Sequence, residues 1–217
     1  QDIGNWDVSN VSKMRMMFNE AVKFNQDIGS WDVSSVINMY RIFRRASSFN
    51  QDIGSWNISS LEVLAAAFEG ASSFNQDISD WNTSSVTNLG AVFNAAHAFN
   101  QDISNWDTSD VTTLQNTLWN AVSFNQDVSA WNVSAVTNFS QMFHGANFLS
   151  AQNKGLIHKS FSANPYWSYN WALYANRPPS DLNTTLPLEI QENQPNGTII
   201  GKFITVDPDE FHGALAA

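Results

Sequence analysis

The chain has 217 residues, 20 acids against 10 bases, a net charge of −10, and 43% apolar residues, enough to bury a core. No Lys or Arg lies between Arg45 and Lys154 while nine acids do, so the surface repels a phosphate backbone and argues against nucleic acid or anionic membrane as partners. Cysteine is absent, which removes disulfides, thiolate nucleophiles and cysteine metal sites, and no run of about 18 apolar residues is present to span a membrane.

From Gln1 onward the chain repeats every 25 residues, with units beginning at Gln1, Gln26, Gln51, Gln76, Gln101 and Gln126. Trp6, Trp31, Trp56, Trp81, Trp106 and Trp131 form one column, and Asp2, Asp27, Asp52, Asp77, Asp102 and Asp127 another. A fixed period in this range is the signature of a stacked repeat array. Within a unit, Ile28, Trp31 and Val33 are apolar with an L-x-x-L-x-L spacing, and Trp31 and Val33 alternate around Asp32. This predicts a short parallel strand near Trp31–Val33 with Asp32 outward. Ser34 or Ser35 then precedes Val36, Met39, Ile42, Phe43 and Ala46, a one-sided spacing that predicts a short helix behind a Ser N-cap. One unit cannot bury its own apolar face, but stacked units can. The invariant column from Ala21 to Ala146 predicts a tight approach of that helix to its neighbours.

Two polar columns accompany the apolar ones. For Asn25 and Asp27 two readings stand side by side. In the favoured one, Asn25 makes a hydrogen-bond ladder and Asp27 accepts backbone N–H groups at a turn. The other is a column of calcium ligands, disfavoured because the glycine-rich nonapeptide of calcium-binding solenoids is missing. The Asp32 column exchanges Asp and Asn freely, as at Asn57, Asn82 and Asn132, so it reads as an exposed ladder in which charge is not essential.

The repeat W-D-V-S-x-V-x-x-M-x-x-M-F-x-x-A-x-x-F-N-Q-D-I resembles the BspA-like leucine-rich repeats of bacterial surface proteins over residues 1–148. The resemblance implies an α/β leucine-rich-repeat-like solenoid of short parallel strands and short helices, secreted or anchored at the cell surface and used in adhesion or recognition. Gln1 falls in mid-repeat, which predicts sequence upstream of it.

After the array, residues 149–176 read as a terminal cap. Ser150 opens a helix running through Ile157 and Phe161, and Tyr166, Trp167, Tyr169, Trp171 and Tyr174 follow. A sugar-stacking platform is the alternative for these aromatics, but an open apolar coil end requires a cap. Residues 177–187 read as a linker. Residues 188–217 hold short strand-like runs around Pro195-Asn196-Gly197, and their E-N-x-P-x-G-T pattern with a later D-P-D resembles the opening of a cadherin-like domain, an incomplete all-β tail. That resemblance implies Ca2+ in the tail on Glu192, Asp207 and Asp209, hard oxygen ligands of the kind calcium prefers. For the solenoid no cofactor is expected.

No catalytic constellation is present. His97, His144, His158 and His212 are scattered without ligand spacing, no G-x-S-x-G or P-loop occurs, and a carboxylate pair repeated up the stack lacks the asymmetry that acid–base chemistry needs. The function expected is therefore a non-enzymatic recognition or adhesion module for an extracellular protein or glycan, against a structural spacer and, lower still, an ice- or surface-binding ladder. The helix exterior is where side chains vary, and Tyr40, Arg41, Arg44 and Trp119 have the composition of interaction hot spots.

Overall fold

The computed structural model describes residues 1–175. Residues 1–149 stack as successive 25-residue coils, and Ala151–Phe161 (α1) and Ala172–Ala175 (α2) close the far end. The coils hold neither a helix nor an extended strand, which corrects the expectation of an α/β leucine-rich-repeat-like solenoid. Their parallel pairing is a column of single bridges joining Lys13, Asn38, Val63, Asn88, Thr113 and Asn138. That column lies inside the segment expected to be helical, not at Trp31–Val33. The tail expected to be all-β lies outside the described residues.

The hydrogen-bond accounting of one coil explains why. Between Met39 and Arg45, alternate N–H groups reach the next coil: Met39 to Val63 O, Arg41 to Ala65 O, Phe43 to Ala67 O and Arg45 to Glu69 O, at 2.6–3.2 Å. The others close tight turns on the carbonyl three residues back: Ile42 on Met39, Arg44 on Arg41 and Ala46 on Phe43. Tyr40 N, left over, donates to Asn38 Oδ1 at 3.0 Å. No N–H remains for the four-residue ladder of an α-helix. The backbone enforces the same choice, since Arg41 and Arg45 take φ of 57° and 56°. Positive φ at the third turn position is what a type II turn requires and what a helix forbids. The same two positions recur as Met16 and Glu20, Ala66 and Gly70, Ala91 and Ala95, Asn116 and Asn120, Gln141 and Gly145. Each coil thus presents a ribbon of overlapping turns.

The apolar columns face inward and stack on themselves. Phe43 lies 5.6 Å from Phe68 between ring centroids, Phe49 lies 5.9 Å from Phe74, and Phe43 meets Phe49 within its own coil at 3.9 Å. Trp81, Trp106 and Trp131 stack at 6.3 and 6.5 Å with nearly parallel rings. Each of Trp31, Trp56, Trp81, Trp106 and Trp131 also donates Nε1–H to an Ile carbonyl of the preceding coil, at 2.9–3.1 Å. Indole therefore supplies area and an inter-coil hydrogen bond together, a use that suits its one polar atom. Trp31 and Val33 are buried and Asp32 exposed, so the alternation is real although no strand pairing accompanies it. Ala46, Ala71, Ala96 and Ala121 are fully buried where the turn ribbon crosses the stack.

Asn25 Oδ1 accepts from Asn50 N at 2.9 Å, and the ladder continues through Asn75, Asn100 and Asn125 to Ser150 N. Asp27 Oδ1 accepts from Gly29 N and Asp32 Oδ1 from Ser34 N, both at 3.0 Å. These are side-chain-closed turns.

The end of the stack is closed by side chains. Asn164 is buried and donates Nδ2 to Val133 O and Val136 O at 2.7 and 2.9 Å. Phe143 N, whose equivalent Phe43 N bonds the next coil, donates to Tyr169 Oη at 2.8 Å. Trp167 stands edge-on to Phe139 at 5.3 Å, and Trp171 lies 5.3 Å from Phe143. These rings are occupied by the sixth coil, which removes them as a free sugar platform. α1 starts behind Ser150, whose Oγ accepts from Asn153 N at 3.1 Å, an N-cap bond. Gly155 lets α2 approach, because a Cβ there would lie 2.6 Å from Tyr174 O.

Candidate interaction surface

The turn ribbon gives the array two unlike surfaces. The Asp27 and Asp32 columns form a repeated acidic edge, closed on its own backbone. Ser34 and Ser9 donate their hydroxyls and N–H groups to Asp32 and Asp7, and these bonds, the hydroxyl first, hold both carboxyls below their ordinary range. Asp77 and Asp107 are lowered in the same way, the backbone N–H of Ser79 and Ser109 first. A shallow recess lies between Asp52, Asp77 and Asp80. Among the described residues no three His, Cys, Asp or Glu side chains are placed to hold a metal ion.

The outer side of the turns is varied. Tyr40 and Arg41 lie there together, and Arg41 sets its guanidinium carbon 4.8 Å from the Tyr40 ring centroid. Arg15, the residue equivalent to Tyr40 one coil earlier, brings a second guanidinium to 5.5 Å from the same centroid. Cation–π contacts of this kind contribute about 0.5–1 kcal/mol at exposed sites and pre-orient the cation. Arg41 Nε is shielded from water without an acceptor.

Arg44 has a different role. Its Nε meets Glu69 at 3.1 Å and its Nη1 meets Glu20 at 3.0 Å, while Arg45 also reaches Glu20, at 3.3 Å. With only 15% of its side chain exposed, Arg44 clasps three successive coils, and the structure removes it from the free surface. Trp119 lies three coils further on, about 14 Å at ~4.8 Å per coil. It is half-buried, stacks on His144 at 6.4 Å, and leaves Nε1 shielded without an acceptor. The four expected residues thus divide into the Tyr40–Arg41 pair, a separate Trp119–His144 pair, and Arg44 as an inter-coil tie. Arg15 and Glu20 escape a reading of single units, though the 25-residue offset to Tyr40 and Arg45 marks both. Glu192, Asp207 and Asp209 lie outside the described residues.

The molecule is thus a stacked repeat array with a self-satisfied acidic edge and a chemically varied turn face. The chain belongs to the family described as Mycoplasma protein of unknown function, DUF285, whose model matches residues 1–85 and 54–156. No curated protein and no solved structure matches the chain. Among the described residues no helix is long and apolar enough to cross a membrane.

Proposed function

We propose that the array is a non-enzymatic recognition or adhesion module that binds an extracellular protein or glycan through its turn face. The observation that carries this reading is the Arg15–Tyr40–Arg41 cluster. It places two guanidiniums on one half-buried aromatic ring, whereas the repeated columns satisfy their polar atoms internally. Aromatic and arginine side chains pre-oriented at a surface have hot-spot composition. The similarity to BspA-like repeats of bacterial surface proteins supports a secreted or surface location, and the cadherin-like similarity of the tail supports calcium there. A structural spacer is the competing reading, favoured by the backbone hydrogen bonds that join every pair of successive coils between Met14 and Asn120.

The test is a protein and glycan array probed with the protein, followed by Tyr40→Ala, Arg41→Gln and Trp119→Ala beside Asp32→Asn and Asn57→Ala. The turn-face variants are expected to lose about tenfold or more in affinity, the edge variants little. Loss confined to the edge variants moves the site to the acidic edge. No captured partner leaves the spacer reading in place.

A further inference from the structure

The array's cations are concentrated in its first two coils, and they are not equivalent. Arg44 and Arg45 are spent on Glu20 and Glu69. Lys13, Arg15 and Arg41 make no ion pair among the described residues, and the last two share the Tyr40 ring. Bringing two like charges to one ring is unfavourable without a counter-charge. A negatively charged group bound beside the Tyr40 ring supplies that counter-charge to both arginines. The planar fork of arginine matches a carboxylate in two parallel hydrogen bonds.

The rest of the array limits the size of that ligand. Coils three to six carry nine acids and no base, so a long polyanion laid along the stack meets repulsion beyond the second coil. A short anionic segment can stay beside Arg15 and Arg41 in the first two coils, which carry six bases against five acids. We infer that Arg15, Tyr40 and Arg41 form a carboxylate-recognition site for a short acidic peptide segment of a protein partner. This rests on the turn-face reading above and gives it a ligand chemistry.

Fluorescence anisotropy with a fluorescein-labelled tetraglutamate peptide tests it, with tetralysine and a heparin hexasaccharide as comparison probes. Saturable binding of tetraglutamate is expected, weakened about tenfold by Arg15→Gln or Arg41→Gln and by raised salt. Tyr40→Phe should retain it and Arg45→Gln should leave it unchanged. Arg15 is exposed, so Arg15→Gln tests the site without threatening the fold, and an unchanged melting curve verifies this. No tetraglutamate binding, or binding equal in Arg15→Gln and wild type, overturns the inference, and so does a preference for the hexasaccharide. If the peptide fails while an array partner still loses affinity on Tyr40→Ala or Trp119→Ala, the turn face stands and only its ligand chemistry falls. If the peptide binds through Arg15 while the array partner ignores the turn face, the site stands and the broader function falls.

Discussion

The joints between coils and the joint between the last coil and the cap solve one problem with different atoms. Along the turn ribbon the partner of an inter-coil backbone N–H is a backbone carbonyl, as where Phe93 N reaches Thr117 O at 2.9 Å. At the cap the corresponding Phe143 N meets the Tyr169 hydroxyl, and the open carbonyls of Val133 and Val136 meet the Asn164 amide. Even the Gln side-chain bond of the ladder is copied, because Asn153 Nδ2 bonds Asn125 O and Oδ1 as Gln126 Nε2 bonds Asn100. A repeat can use backbone because its neighbour has the same shape. A non-repeating segment must place individual side chains, so it depends on fewer and less replaceable atoms.

The largest expected effect breaks a coil joint. Phe93 is fully buried, stacked on Phe68 at 5.7 Å and on Phe99 at 3.8 Å. Phe93→Ala removes a ring from two interfaces and is expected to cost about 3–5 kcal/mol. In a quasi-one-dimensional stack it should also split the unfolding transition into an early and a late part. Calorimetry that shows one unshifted transition would contradict this.

At the cap joint Tyr169→Phe keeps the ring and removes the acceptor, leaving Phe143 N–H unpaired. The expected loss is about 1–3 kcal/mol, read as earlier hydrogen exchange at Phe143 than at Phe93. Burial pushes the Tyr169 phenol up, with the Phe143 N–H pulling the other way, so the neutral phenol persists into alkaline solution. A loss in Tyr169→Phe equal at Phe93 and Phe143 would show the two joints to be one cooperative unit.

The period, the inward columns, the Asn ladder and the Ser150 cap were legible because each is a repeated or local preference. The coil's path was not. Val36, Met39, Ile42, Phe43 and Ala46 reach the core at steps of three, three, one and three, and overlapping turns produce that spacing as well as a helix does. The signal that separates them is at the positive-φ positions, where Gly70, Asn120 and Gly145 stand at multiples of twenty-five residues and Asn116 stands four before Asn120. Glycine and asparagine enter that conformation most easily, and a helix has no use for them there. The Tyr40–Arg41 pairing follows from adjacency. Arg15 and the diversion of Arg44 needed the inter-coil register, which single units do not display.

The same positions give a smaller effect inside the coil. Gly70 has φ of 70°, and a Cβ there would sit 3.1 Å from Arg45 Cγ. Gly70→Ala is expected to cost about 1–2 kcal/mol, whereas Ala95→Gly, at φ 53°, relieves strain and gains a few tenths after the added unfolded-state entropy, about 0.4 kcal/mol. Thermal melts that move the two variants in the same direction would remove the strain argument.

The smallest effect concerns charge on the edge. Asp7, Asp32 and Asp107 accept serine hydrogen bonds that lower their carboxyls in the folded chain. A carboxyl lowered by folding contributes stability that is fully present above its unfolded value. That stability is lost as pH falls through the folded value, so it fades below about pH 4. Asn57, Asn82 and Asn132 hold the equivalent turns with the same Oδ1 acceptor at 3.0–3.1 Å and cannot titrate. Combining Asp7→Asn, Asp32→Asn and Asp107→Asn makes the column uniform. Urea unfolding from neutral pH down to pH ~3 should show the wild type losing more of its midpoint than the triple variant, with the difference opening only below about pH 4. The cap joint carries no such carboxylate among its contacts, so exchange at Phe143 should follow the same course in both proteins. Parallel acid profiles for wild type and triple variant would mean that the edge turns hold their shape equally well with the carboxyls protonated, and that the Asp–Asn exchange up the column carries no energetic consequence.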